Sequence, residues 1–438
     1  MTATEISQAT STETAAGAAI DTSAVQATQR HIVKTLASAQ ILGGVGVATG
    51  ATVGALLAGD LSSESLSGLS ATASVVGAAL IAIPVSRIMN VQGRRAGLIV
   101  GYGIGVLGAL LVVIGASLRI FPLALLGLVG MGGGTTAGLQ SRYAAVDLAP
   151  AQHRGRALST VVWATTVGSV LGPNLSSPMG RFAETIGVPK LAGPYLLTMV
   201  ALAIALAVIF VFLRPDPLLS ARQLRVSSGE VSVVPILQRS IKENLVFIRS
   251  IPAAYLGLAA MCIGQAVMSS VMSMTPIHLK HGDADLRIIG FVISGHIAGM
   301  YAASPLVGMA SDRYGRRPVI LLGCAVLLSA FVVAGTAGVH DRVQLGAGLY
   351  LLGLGWSCTL IAGSTLLTES IPLDARPTIQ GAADLTMGMA GACGALLAGL
   401  IVSLGSYGLL CLLAALLVIP LAASVLRRGL APSPAPGD

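Results

Sequence analysis

Few side chains in this 438-residue sequence can do acid–base or ionic chemistry. Charged residues make up 10% of it, against 54% apolar. Asp384 stands in QGAADLTMG and His296 in VISGHIAGMY, each well inside an apolar run. Arg142 lies about one turn from the end of another run, with Asp147 five positions on, and Glu369 closes a fourth. A carboxyl or an imidazole in such a place can take up and release a proton, and an arginine can hold an anion. In hydrocarbon each charge costs at least about 2.5–3.5 kcal/mol, so each needs a partner or a task. Asp384 is the deepest acid and reads either as a proton site or as an acceptor of hydrogen bonds from neighbouring helices. His296 reads either as its partner or as a neutral imidazole hydrogen-bonded inside the bundle. Arg142 reads either as a latch pairing with Asp147 or as a contact to an anionic solute. Glu369 reads as an interfacial member of the same polar set.

Other chemistries lack their residues. Neither His-Glu-x-x-His nor Gly-x-Ser-x-Gly occurs, which argues against an enzyme, and no Gly-x-x-x-x-Gly-Lys-Ser/Thr loop suggests a nucleotide. The five cysteines fall singly in apolar runs with no C-x-x-C pair, so neither a metal nor another cofactor is expected. The net charge of +8 sits in short loops and does not point to nucleic acid.

The elements that must carry these groups are membrane helices. Soluble chains usually carry about 25% charged residues, and the mean hydropathy here is +0.84. About 20 mostly apolar residues cross a bilayer. Twelve such runs are read at 33–58, 65–86, 96–117, 121–146, 157–180, 192–213, 253–277, 286–309, 318–338, 343–369, 378–403 and 406–426. With the N-terminus inside, 20 Lys and Arg fall on the cytoplasmic side and 6 on the other, a strong orientation bias. The Ala/Thr/Ser-rich segment 1–31 reads as a disordered cytoplasmic tail, as does 428–438. Residues 214–252 divide the runs six and six (32–213 and 253–427), and VVPILQRSIKENLVFIRSIP within them has the spacing of an amphipathic surface helix.

Two basic knots repeat half a chain apart. SDRYGRRPVI stands at 311–320 and NVQGRRAGLI at 90–99, their Gly-Arg-Arg triplets 222 residues apart. RALSTVVWATTVG and RPTIQGAADLTMG form a second echo, offset by 220. An internal repeat of six spans explains both. The glycine permits a tight reversal, and the acid at a helix end can pair with arginines and with a facing helix N-terminus.

These residues resemble the major facilitator superfamily of secondary transporters. GMASDRYGRR is similar to its loop signature at Gly308, Asp312, Arg313, Gly315, Arg316 and Arg317. The first copy keeps Gly93, Arg94 and Arg95 but has Asn90 and Val91 where the family prefers Asp and Arg. GSVLGP, with Gly168, Gly172 and Pro173, resembles the span-five signature of the family's antiporters, and Pro173 is expected to kink that span. The resemblance implies an all-α integral membrane fold of twelve helices in two pseudo-symmetric six-helix bundles. It further implies alternating access, with the loop cluster and Asp147 closing the cytoplasmic side. A bacterial plasma-membrane monomer with both termini cytoplasmic is expected, its partners a small-molecule substrate, protons and membrane lipid. Export of a drug-like or amphipathic compound is the first reading. Uptake of a metabolite is the alternative, and a non-transporting sensor or assembly factor is the reading from a different class.

Overall fold

The computed structural model describes residues 22–62, 69–227, 240–282 and 286–429. Among them every regular element is helical. The first bundle comprises α1 (Thr22–Leu61), α2 (Leu69–Gln92), α3 (Arg94–Ser117), α4 (Phe121–Ala144), α5 (Arg154–Thr185) and α6 (Gly193–Phe212). Two short helices follow, α7 (Pro217–Ser227) and α8 (Ile241–Ser250). The second bundle comprises α9 (Pro252–His281), α10 (Leu286–Tyr301), α11 (Ser304–Tyr314), α12 (Arg316–Gly335), α13 (Arg342–Glu369), α14 (Arg376–Leu404) and α15 (Tyr407–Gly429). The eighth span is α10 and α11 together, interrupted at 302–303. That makes twelve crossings.

Eleven of the spans are long and apolar enough to cross a membrane by composition. The remaining one, α5, is 32 residues long but carries Ser, Thr, Asn and Arg along its length. Its position accounts for this: α5 packs on α1 and α6 and also on α10, α11 and α13 of the other bundle. It therefore has less need of an apolar coat than a helix facing lipid. Leu107, Leu126, Leu396 and Leu412 stand exposed on other helices, as a lipid-facing surface requires. Pro173 and Pro178 both lie within the continuous helix α5.

Helix α1 begins at Thr22, which corrects the expected tail of 1–31 over its last ten residues. The stretch is rich in Ala and Gln and is tied down. Gln29 donates to the Ala145 carbonyl at 2.7 Å, His31 Nε2 lies 2.7 Å from the Phe212 carbonyl, and Ile32 is buried. The rest of that tail, residues 1–21, lies outside the described residues, as do 430–438 and much of the loop before α8. Helix α8 forms where the amphipathic spacing placed it. Ser240 caps it by accepting from the Glu243 N–H while the Glu243 carboxylate accepts from the Ser240 N–H.

The bundles meet along two seams, α2 against α14 and α5 against α11. At each seam a glycine faces a serine. A Cβ on Gly381 of α14 would lie 2.7 Å from Ser86 Cβ on α2, and one on Gly308 of α11 would collide with Ser159 on α5. Positions 86 and 308 are 222 residues apart, as are 159 and 381, so the repeat exchanges the two residue types between its halves. Backbones this close leave no room for a side chain. Gly381→Val should separate α14 from α2, since overpacking costs about 1–3 kcal/mol. Spin labels at exposed Val91 and Tyr314, one on each bundle, should then report longer distances by double electron–electron resonance. Unchanged distances would mean that the seam tolerates a side chain.

Candidate functional site between the bundles

The two knots form the same turn. Gly93 and Gly315 have φ of 91° and 93°, a region that favours glycine, and each is followed at once by a helix starting with Arg. Arg94 holds Asp147 in a two-pronged pair, Nε to Oδ2 at 2.7 Å and Nη2 to Oδ1 at 3.3 Å. Arg316 holds Glu369 in the same way at 3.2 and 2.9 Å. Each acid then faces an arginine of the other bundle: Arg376 lies 3.7 Å from Asp147, and Arg154 lies 3.7 Å from Glu369. All four residue pairs repeat at 222. The second sequence echo shifts accordingly, because the geometry matches Arg376 with Arg154 rather than Arg156. Each of the two begins a helix after a 3₁₀ turn.

The Asp312 carboxylate accepts from the Gly155 and Arg156 N–H groups at 2.8 Å each, capping α5 across the seam, and it also pairs with Arg316 at 2.7 Å. Its counterpart Asn90 caps nothing across the other seam and accepts instead from Arg222 of α7 at 2.9 Å. Arg313 is exposed, its guanidinium 5.4 Å from the Tyr314 ring, and takes no part in the network. The Arg95 N–H donates to Asp216 at 2.7 Å and its side chain to the Phe210 carbonyl, both within the first half and its linker. Arg317 is half-buried at the start of α12.

Asp384 lies eight residues beyond Arg376, about 12 Å along α14. It is buried and forms an ion pair with Arg142 of the other bundle. The Tyr143 hydroxyl donates to Asp384 Oδ1 at 3.2 Å, and Gln140 Nε2 donates to Oδ2 at 3.0 Å. Gln140 Oε1 in turn accepts from Arg94 Nη1 at 3.3 Å, which joins the deep acid to the knot network. Arg94 also donates to Gln380 at 2.6 Å, and Gln380 donates to Thr368 at 3.0 Å. The Arg142–Asp384 pair has no twin. The positions 222 residues away are Ser364 and Val162.

Two sequence expectations are corrected here. Arg142 does not latch Asp147, because Arg94 occupies that carboxylate and Arg142 reaches Asp384 instead. His296 is not among the groups that touch Asp384: it is buried with Nδ1 2.8 Å from the Leu349 carbonyl, a contact inside the second bundle. Gly168 and Gly172 pack tightly on α1 near Gly44 and Thr49, so that stripe is a packing seam within the first bundle. Sequence reasoning missed Gln140, Tyr143 and Gln380. Gln380 stands four residues before Asp384, hence on the same helix face, and Gln140 and Tyr143 flank Arg142.

The Major Facilitator Superfamily profile fits residues 36–288 and 283–438. The chain is 38% identical over 403 residues to an uncharacterized MFS-type transporter of Bacillus subtilis, YddS, covering 91% of this chain and 92% of that one. The chain belongs to the major facilitator superfamily. It is also 28% identical over 376 residues to the riboflavin transporter RfnT of Brucella anthropi, covering 85% of this chain and 89% of that one. Its fold is similar to that of the superfamily's proton:xylose symporter XylE, with a TM-score of 0.73, 15% identity, and coverage of 92% and 96%. At that identity the likeness is one of fold.

Arg94→Gln should strip Asp147 of its buried partner, and breaking such a pair destabilises by about 3–5 kcal/mol. Arg313→Gln removes an exposed charge and should change little. Thermal unfolding of the two purified variants checks this, and equal melting temperatures would overturn the network's structural weight. Asp312→Asn should lose the charge that caps α5 and slow solute flux in proteoliposomes while solute binding is retained. A parental flux rate would reduce the loop to a membrane anchor.

Proposed function

We propose that this superfamily member moves a small solute by alternating access, and that Asp384 is its proton-coupling site. The observation that carries the proposal is the buried Arg142–Asp384 pair, which joins the two bundles and has no equivalent in the repeat. An ionised Asp384 attracts Arg142 across the interface and favours the arrangement closed at the knots. A protonated Asp384 leaves Arg142 without a counter-charge, which favours separation of the bundles at that end. Proton occupancy then biases one state over the other by differential interaction free energy, as coupling requires. The excess of basic residues at the knots supports placing them on the cytoplasmic side of a bacterial plasma membrane, with both termini on that side. Proton loading would occur from the outer side in the arrangement described, and release would follow opening at the knots.

Export of a drug-like or amphipathic compound, with the protein working as a monomer, is the substrate reading favoured by the span-five signature at Gly168, Gly172 and Pro173. A metabolite is the second reading, favoured by the resemblance to a riboflavin transporter along most of the chain.

Asp384→Asn mimics the protonated carboxyl and should abolish transport driven by a pH gradient in proteoliposomes while solute binding and exchange persist. Lowering the pH should shift the parent towards the arrangement open at the knots, read by the same Val91/Tyr314 labels, and should leave Asp384→Asn insensitive. Retained gradient-driven transport in the variant would remove Asp384 from the mechanism.

A further inference from the structure

Beside the α2–α14 seam lies a cavity of about 180 Å³, far above the ~10–15 Å³ that a single water needs by the same measure. Its walls come from three parts of the chain. Asp147 and Arg154 belong to the first bundle, Leu373 and Arg376 to the second, and Leu224 and Arg225 to the linker helix α7. Three arginines line it with one carboxylate, which the two-pronged pair with Arg94 already engages, while Arg154 and Arg225 have interactions of their own.

Arg376 is the informative wall. It is 2% exposed, it starts α14, and among the described residues its one ion pair is the 3.7 Å approach to Asp147, beyond hydrogen-bond length. Among the described residues its Nε has no acceptor. A buried guanidinium offers five N–H donors, and such groups are nearly always satisfied. Its counterpart in the repeat is satisfied: Arg154 donates Nε to the Ala149 carbonyl at 3.1 Å, in a seam holding both Asp312 and Glu369. Asn90 stands where the second copy has Asp312, and Asp374 stands where the first copy has Gln152, so the two seams hold equal numbers of acids in different places. The nearby Asp374 is paired with Arg222 at 2.7 Å. One seam places its second acid, Asp312, as a cap on the helix that starts with its arginine, whereas the second acid of the other seam pairs with Arg222 and leaves Arg376 unsatisfied beside the cavity.

We infer that this cavity is an anion site for a phosphate group, supplied free in solution or on a lipid headgroup. Arginine forks match phosphate oxygens, and the start of a long helix adds its favourable dipole. The bound group touches both bundles and α7 at once. It stabilises the arrangement closed at the knots by mass action, in proportion to its occupancy. The site is separate from Asp384 and does not rest on proton coupling.

Thermal unfolding of the full chain tests the inference. Inorganic phosphate is titrated into detergent-solubilised protein at ionic strength held constant with chloride. The parent and the control Arg313→Gln should show a rise in Tm of about 2–4 °C that grows with the logarithm of the phosphate concentration. Arg376→Gln should show none. Arg225→Gln, in the linker wall, should need about fivefold more phosphate, the loss of one hydrogen bond of ~1 kcal/mol. It keeps the test decisive if Arg376→Gln does not fold. Phosphatidylcholine nanodiscs with and without phosphatidic acid separate the sources. A Tm rise with phosphatidic acid that removes the response to inorganic phosphate identifies a headgroup, whereas an undiminished phosphate response identifies the free ion. Equal shifts in the parent and Arg225→Gln, or no shift with either probe beyond chloride, would overturn the site.

Discussion

A guanidinium buried between membrane helices has to be answered by a carboxylate, and here the answer to Arg142 comes from the other bundle. Desolvation makes either charge expensive alone, and their attraction offsets that expense only while the bundles stay together at this level. The tight seams follow from the same demand. Arg142 on α4 can meet Asp384 on α14 only if α14 lies close against the first bundle, and the Ser86–Gly381 contact lets it do so. The ion pairs at the knots lie along the same interface. Packing and charge thus specify one arrangement between them.

The repeat divides these interactions into two kinds. Arg94–Asp147 and Arg316–Glu369 hold adjacent helices within a bundle, and Arg376 and Arg154 reach across to them, in matched copies at one spacing. Such a twofold set suits a gate, because both seams must part for the face to open. The Arg142–Asp384 pair and the Asn90 substitution are departures from the symmetry. Each changes which ionic contacts are made on one side only. Where a duplicated structure stops being symmetric, something other than the shared scaffold is under constraint there.

Much of this was legible in the sequence. Twelve spans, two knots and the six-plus-six division follow from apolar run lengths and the 222-residue spacing, which reflect lipid thickness and duplication. Asp384 stood out because an acid deep in an apolar run must be accounted for. Its partner could not be read off, since helix adjacency across two bundles leaves no local pattern, and nearness in sequence suggested Asp147 for Arg142. Residues 22–31 looked like a tail because their composition is weakly apolar. Their helix is fixed by contacts to Ala145 and Phe212, more than a hundred residues away. The second echo misled by two residues because Arg156 and Arg154 are equally plausible matches until the start of each helix is known.

Gln140 gives the network a direction. An arginine only donates and an ionised carboxylate only accepts, so the amide between Arg94 and Asp384 can face one way: oxygen to Arg94, nitrogen to Asp384. A glutamate at this position would set two acceptors against each other, and a leucine would remove the one side chain that links Arg94 to Asp384. Once the Asp384 oxygen at its nitrogen end carries a proton, that end meets a donor instead of an acceptor. Turning the amide over would present its NH₂ to Arg94, donor against donor. The amide is therefore content in one protonation state and contradicted in the other. Under the proposed coupling, protonation of Asp384 would be felt at Arg94 through this one neutral side chain.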